Sequence, residues 1–244
     1  ASLRLDELPL PVGRLRRGGA SAHSVLYHKA AGVTDNDVAI AASLLLSAGG
    51  IVAASRRDRL ASVPSQMPLQ TAPPPLHPLR LIDLSSNALG DHGLAVVALA
   101  MRCGATPMLE ELQLEHNLIR DVAPLGDGAL AAAPNLQALR LGHNDVSDRA
   151  AASLAEALKG GAAAALRHLT LHGNRVADHA VKELSLALST SLPLLKELKL
   201  HANARFGNVG WRALARTLGA QTHGAHGRKL AMLRSLLLTQ PVSA

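Results

Sequence analysis

The sequence predicts a solenoid of the α/β class, in which short strands stack into one parallel sheet and each strand is followed by a helix. Three observations predict it. One leucine-and-asparagine spacing recurs along the chain, amphipathic stretches separate the copies, and aromatic residues make up only 1% of the composition. A closed globular core of this size is normally filled with large rings, which dominate burial. Tyr27, Phe206 and Trp211 cannot fill one, whereas thin aliphatic layers need none.

The spacing L-x-x-L-x-L-x-x-N-x-L begins at Leu79, Ile82, Leu84, Asn87 and Leu89. It recurs at Leu109, Leu112, Leu114, Asn117 and Ile119, at Leu136, Leu139, Leu141, Asn144 and Val146, and at Leu166, Leu169, Leu171, Asn174 and Val176. A further copy runs Leu195, Leu198, Leu200 and Asn203, with an inserted residue before Phe206. A truncated copy follows at Leu233, Leu236 and Leu238, and a degenerate one ends near Gly32, Val33 and Asp35. The asparagines lie 30, 27, 30 and 29 residues apart, leaving room for a full helix in each unit.

The intervening stretches supply those helices. Leu154 and Leu158 fall one turn apart on one face, alanines occupy the crowded positions, and Asp148 and Asp178 are placed as helix N-caps. Between Asp121 and Ala133 the pattern is poorer, because Pro124, Gly126 and Gly128 oppose a regular helix. Strand leucines should stack into a continuous column. Asn87, Asn117, Asn144, Asn174 and Asn203 should form a structural ladder, their amides satisfying turn backbone that no strand can reach.

On these residues the repeat region, about 79–220, resembles the ribonuclease-inhibitor-like class of leucine-rich repeats. That resemblance implies a right-handed horseshoe with a concave parallel sheet and convex helices, and a role in protein binding rather than one shared reaction. In that geometry the intervening positions of the motif face the concave side. One column is Asp83, Gln113, Arg140, Thr170 and Lys199; another is Leu81, Glu111, Ala138, His168 and Glu197. The pairs before each asparagine add Glu115, His116, His143, His172 and His201. The candidate partner-binding residues are therefore Asp83, Glu111, Gln113, Glu115, Arg140, His143, His168, Thr170, His172, Lys199 and His201. They run from acidic in the early repeats to basic and histidine-rich in the later ones, a polarity that could orient a partner; the alternative is an ordinary solvated face.

His172 and His201 occupy one position in successive repeats, about 5 Å apart at the backbone. No carboxylate or cysteine completes a metal set around them, so a pH-sensitive surface is the reading favoured over a zinc or copper site. No metal and no cofactor is expected. No P-loop, G-x-S-x-G or H-E-x-x-H motif occurs, which excludes those chemistries and argues for a protein that is not an enzyme and has no small-molecule substrate.

The net charge of +7 is unevenly spread. Residues 1–80 hold nine Lys/Arg against five Asp/Glu, residues 81–203 ten against thirteen, and residues 204–244 six against none. The basic arms are Arg14, Arg16 and Arg17 at one end and Arg205, Arg212, Arg216, Arg228 and Lys229 at the other. The C-terminal arm can contact RNA phosphate, acidic lipid or an acidic protein, and without stacking aromatic residues any nucleic-acid contact would be to the backbone; the alternative is simple solubility of a terminal cap.

Five segments are expected: a basic extension over 1–31, a degenerate first repeat over 32–54, a proline-rich insertion over 55–78, the solenoid over 79–220, and a basic cap over 221–244. The single Cys103, read as a small core residue, leaves no internal disulfide and favours a reducing intracellular compartment. The acid-free, arginine-containing stretch 8–34 allows an organellar destination, mitochondrial or plastid, beside a cytoplasmic one. No apolar run suffices for a membrane span. The leading functional expectation is a scaffold or structural subunit with other protein subunits as partners. The alternatives are a subunit of an RNA-containing particle such as an organellar ribosome, and a regulator of a GTPase.

Overall fold

The computed structural model describes residues 24–27, 32–39, 79–223 and 235–237. Seven parallel strands form one sheet in sequence order: β1 (Ser24–Tyr27), β2 (Leu79–Asp83), β3 (Glu111–Gln113), β4 (Ala138–Arg140), β5 (His168–Thr170), β6 (Glu197–Lys199) and β7 (Ser235–Leu237). Helix α1 is described over 35–39. It is followed by α2 (Asp91–Arg102), α3 (Asp148–Lys159), α4 (Asp178–Thr190) and α5 (Asn208–His223). The irregular second unit holds only a π-type turn, Leu125–Ala129, broken by Gly128 at φ 95°. The chain therefore folds as the expected solenoid, with the sheet on the concave side and the helices on the convex side.

The core lies between these layers. Leu112, Leu114, Leu139, Leu141, Leu169, Leu171, Leu198 and Leu200 are fully buried, as are Leu154 and Leu158 on the facing helix. Full burial of one leucine side chain is worth roughly 1.5–3 kcal/mol, so each added repeat extends one aliphatic stack.

Two hydrogen-bonded ladders hold successive units in register. In the first, Asn144 Oδ1 accepts from the Ile119 amide at 3.1 Å, while its Nδ2 donates to the Leu114 and Leu141 carbonyls at 2.9 and 3.2 Å. Asn117, Asn174 and Asn203 repeat this arrangement with the preceding unit. Asn87 accepts from the Val33 amide and so fastens the degenerate first unit.

The second ladder corrects an expectation. Asp148 and Asp178 are the first residues of α3 and α4 and do not cap their own helices. Asp148 Oδ1 instead accepts from the Ala177 and Ala180 amides at 2.7 and 3.0 Å, capping α4 from the repeat before it. Asp178 does the same for α5 through Gly207 and Gly210. A third aspartate, Asp91, accepts from the Arg120 and Asp121 amides.

Three further expectations change. Strand β1 lies inside the segment assigned to the N-terminal extension, so the first repeat begins upstream of residue 32. Helix α5 runs past the expected end of the solenoid at 220. Cys103 is exposed at the C-terminal end of α2 instead of lying in the core. The proline-rich insertion 55–78 and most of the two terminal segments lie outside the described residues.

Candidate functional site: the concave face and its histidine row

Strand register places Leu81, Glu111, Ala138, His168 and Glu197 side by side, and likewise Asp83, Gln113, Arg140, Thr170 and Lys199. Both columns coincide with those read from the repeat spacing. Their side chains then sort into those already bonded and those left free.

Asp83 and Thr170 support the face from below, being 5% and 0% exposed. Asp83 accepts from the Ser85 amide at 3.0 Å, and Thr170 donates to Glu115 Oε1 at 3.0 Å across the intervening repeat. Both had been placed among the partner-facing residues, a position their burial removes. Glu111 accepts from Gln113 Nε2 at 2.9 Å, and Glu110 pairs with Arg80. In the later strands Glu197 gathers Lys199 Nζ at 2.8 Å and His168 Nδ1 at 3.1 Å. The Lys199 hydrogen bond holds the Glu197 carboxyl below its usual range; burial opposes this, and His168 reinforces it.

Among the described residues Arg140 and Arg167 make no ion pair, and the Nε of each is buried without a hydrogen-bond partner. Lys196, whose backbone amide donates to the Arg167 carbonyl, adds a third cation without a carboxylate. The acidic side chains of the early repeats are largely engaged, while the later repeats keep free positive charge.

Below this grid runs a row of imidazoles. The His116 and His143 rings stack at 4.3 Å and 10°, His143 meets His172 edge-on at 4.7 Å, and His172 stacks on His201 at 4.7 Å and 20°. His116 and His143 occupy the residue just before asparagine, which takes positive φ, 57° and 53°; His172 and His201 stand one residue earlier. Glycines make this crossing over possible. A Cβ on Gly142 would stand 2.2 Å from the His172 ring, and one on Gly173 would stand 2.7 Å from His143 Nδ1.

The His172 pKa is pushed below its usual value, first by burial, then by the neighbouring His143 and His201; Glu115 opposes the shift and Lys199 adds to it. His168, in the column of Leu81, Glu111, Ala138 and Glu197, is bonded to Glu197 and lies outside the row. His116 and Arg167 were absent from the candidate set. The glycines at 142 and 173, opposite His172 and His143, are the signal for the crossing between those two rings, and His116 joins the row through the motif position it shares with His143. Stacked rings face one another instead of converging on a point, and no group of three metal-ligating side chains occurs among the described residues.

On the convex side Arg212 and Arg216 are exposed and, with Lys182, Val209 and Ala213, line an open cleft of about 300 Å³. Arg205 is also exposed. Arg14, Arg16, Arg17, Arg228 and Lys229 lie outside the described residues. No helix among the described residues is long and apolar enough to cross a membrane.

A parallel sheet of stacked strand, turn and helix units, tied by an asparagine ladder, defines a solenoid of the leucine-rich-repeat type. The family profile described as Leucine Rich repeat matches residues 76–98 and 132–155, spanning β2 with the start of α2 and β4 with the start of α3. Over those residues the chain carries leucine-rich repeats. Among solved structures, an internalin from Listeria monocytogenes strain 4b F2365 aligns at 16% identity and a TM-score of 0.35, covering 68% of this chain and 48% of its own. The chain thus spans about half that internalin's length. No curated protein matches it.

Proposed function

We propose that the chain is a non-catalytic scaffold that docks another protein on its concave face, as a subunit of a larger assembly. The observation that carries this reading is the charge left unpaired there among the described residues: Arg140 and Arg167 make no ion pair, and Lys196, beside Arg167, has no carboxylate. A docked partner bearing carboxylates can pair the guanidinium charge that no described group of the chain neutralises. Affinity isolation from native extract tests the reading. The parent chain should recover a stoichiometric protein that the triple variant Arg140→Ala, Arg167→Ala, Lys196→Ala loses while melting as the parent does. Recovery of the parent alone, at monomer mass, would overturn it.

A second reading, contact of the basic C-terminal flank with RNA phosphate, is supported by the exposed cations Arg205, Arg212 and Arg216. Association that survives nuclease treatment and is insensitive to salt counts against it. Regulation of a GTPase stays an alternative form of the scaffold role, and is excluded if candidate GTPases show no stimulated hydrolysis.

A further inference from the structure

Four histidines in van der Waals file make an unusual neighbourhood for charge. Among the described residues the groups around the row come from the turns and strands of β2 to β6. From the turn after β3 comes Glu115, hydrogen-bonded to Thr170; from β4, Arg140, two residues before Gly142; from β6, Lys199, paired with Glu197. Asp145, two residues past His143, is held between Arg120 and Arg175 at 3.8 and 3.0 Å. His168 is occupied by Glu197. At the early end stand Ser85 and Ser86, uncharged. Among the described residues Glu115 is thus the one carboxylate facing the row that is not committed to a cation.

Neutral imidazoles stack at these distances without a counter-ion. Protonated ones place like charges 4.3–4.7 Å apart beside Lys199 and Arg140, with too little negative charge to offset them. The Nδ1 atoms of His172 and His201 are buried without a partner. The row and the free guanidiniums therefore lack the same thing, carboxylates. The row lies across β3 to β6, a span of about 15 Å at strand spacing, and Arg167 stands at the other end of β5 from His172, five residues earlier in the chain. That spread suits a segment better than a point ligand.

We propose that the row His116, His143, His172 and His201 and the unpaired Arg140 and Arg167 form one docking surface for an aspartate- or glutamate-rich segment of a partner protein, gripped more tightly as the row takes up protons. The inference rests on the scaffold reading and gives its partner a chemistry. Linkage sets the sign: a ligand that favours the protonated row must bind better in acid, and its binding must draw protons from solution.

The test uses the full chain and a fluorescent ten-residue peptide of alternating glutamate and glycine, titrated at pH 7.5 and 5.5 at constant ionic strength. Glutamate stays largely ionised across this range. Affinity should rise about tenfold or more at the lower pH, the scale of one or two charges gained near a surface. His143→Asn with His172→Gln should lose the gain in acid, so that its affinities at the two pH values converge; asparagine is chosen for 143 because it tolerates positive φ. Arg140→Ala should weaken binding at both pH values.

Calorimetry of the unaltered chain in buffers of different ionisation enthalpy should show net proton uptake on binding at pH 6.5, a readout independent of whether any variant folds. Equal affinity at both pH values, an acid gain that survives in the histidine variant, or no proton uptake would overturn the proposal. Tighter acid-dependent binding of oligouridylate than of the peptide would also overturn it, by assigning the surface to nucleic acid. A chain that recovers a protein from extract yet ignores the peptide at both pH values sinks this inference alone; a chain that recovers nothing sinks the scaffold reading.

Discussion

His143 and Asn144 are neighbours in one turn and belong to different regions of the molecule. Asn144 is 7% exposed, bonds to both its own and the preceding repeat, and has counterparts in every neighbouring unit. His143 is exposed, stands at φ 53°, and touches rings that come from two different motif positions. One residue serves the stacking of repeats and the next serves a surface. The lesson is that the strict periodicity of this chain records its fold, whereas departures from periodicity mark what is peculiar to it.

That contrast can be broken first at the ladder. Asn144→Leu removes an acceptor from the Ile119 amide and donors from the Leu114 and Leu141 carbonyls, leaving buried backbone groups unpaired. A loss of about 3 kcal/mol is expected, read as a large fall in thermal midpoint with the histidine row destroyed along with the fold. His143→Asn, one residue away, should move the midpoint little. Equal effects from the two would abolish the distinction.

The second ladder should respond less. Asp148→Ala strips the cap from the Ala177 and Ala180 amides of the following helix, at an expected cost of about 1–2 kcal/mol, while Ser147 still accepts from the Ala150 amide of α3. Amide hydrogen exchange gives the direction of the effect: protection should fall at the start of α4 and hold at the start of α3. Loss of protection in α3 instead would mean that Asp148 caps its own helix, the arrangement expected from sequence.

This reversal shows what was legible in advance. The strands, the buried leucines, the asparagine ladder and the two facing columns follow from one repeated spacing, because each depends on a residue's place within its own unit. The aspartate ladder does not, since it joins residues 29 and 32 apart and no local capping rule reaches that far. Thr170 sits at a surface-facing position and is nonetheless buried, because Glu115 from two repeats away folds over it. The histidine row is hidden for the same reason. His116 and His143 share one motif position and His172 and His201 another, so no single column displays all four.

A smaller effect separates the row from the fold altogether. Gly142→Ala would put a methyl group 2.2 Å from the His172 ring, which must swing aside. Because that ring is half-buried at a surface, stability should change by less than about 1 kcal/mol. The row would nonetheless be cut between His143 and His201. Histidine ring resonances of the variant should lose the mutual shifts of stacked rings, while the melting curve stays near the parent's.

The least effect belongs to pH, and its sign follows from the direction of one shift. The folded-state pKa of His172 lies below the ordinary histidine value, with burial as the main cause and His143 and His201 next. The unfolded chain, with a pKa of about 6.5, therefore binds a proton that the folded chain resists. Stability from this group is fully present above the unfolded pKa and drains away as pH falls through that value toward the lowered one. Glu197 acts in a separate window: its pKa is lowered mainly by Lys199, so its contribution persists through mild acid and is lost only as pH falls through its own depressed value. Melting curves between pH 7.5 and 5.5 should thus isolate the histidine effect. The midpoint should fall across that range in the parent and fall less in His172→Gln. An acidic peptide should restore more of the loss in the parent than in the variant, since anions placed beside the row offset the same repulsion that acid creates within it.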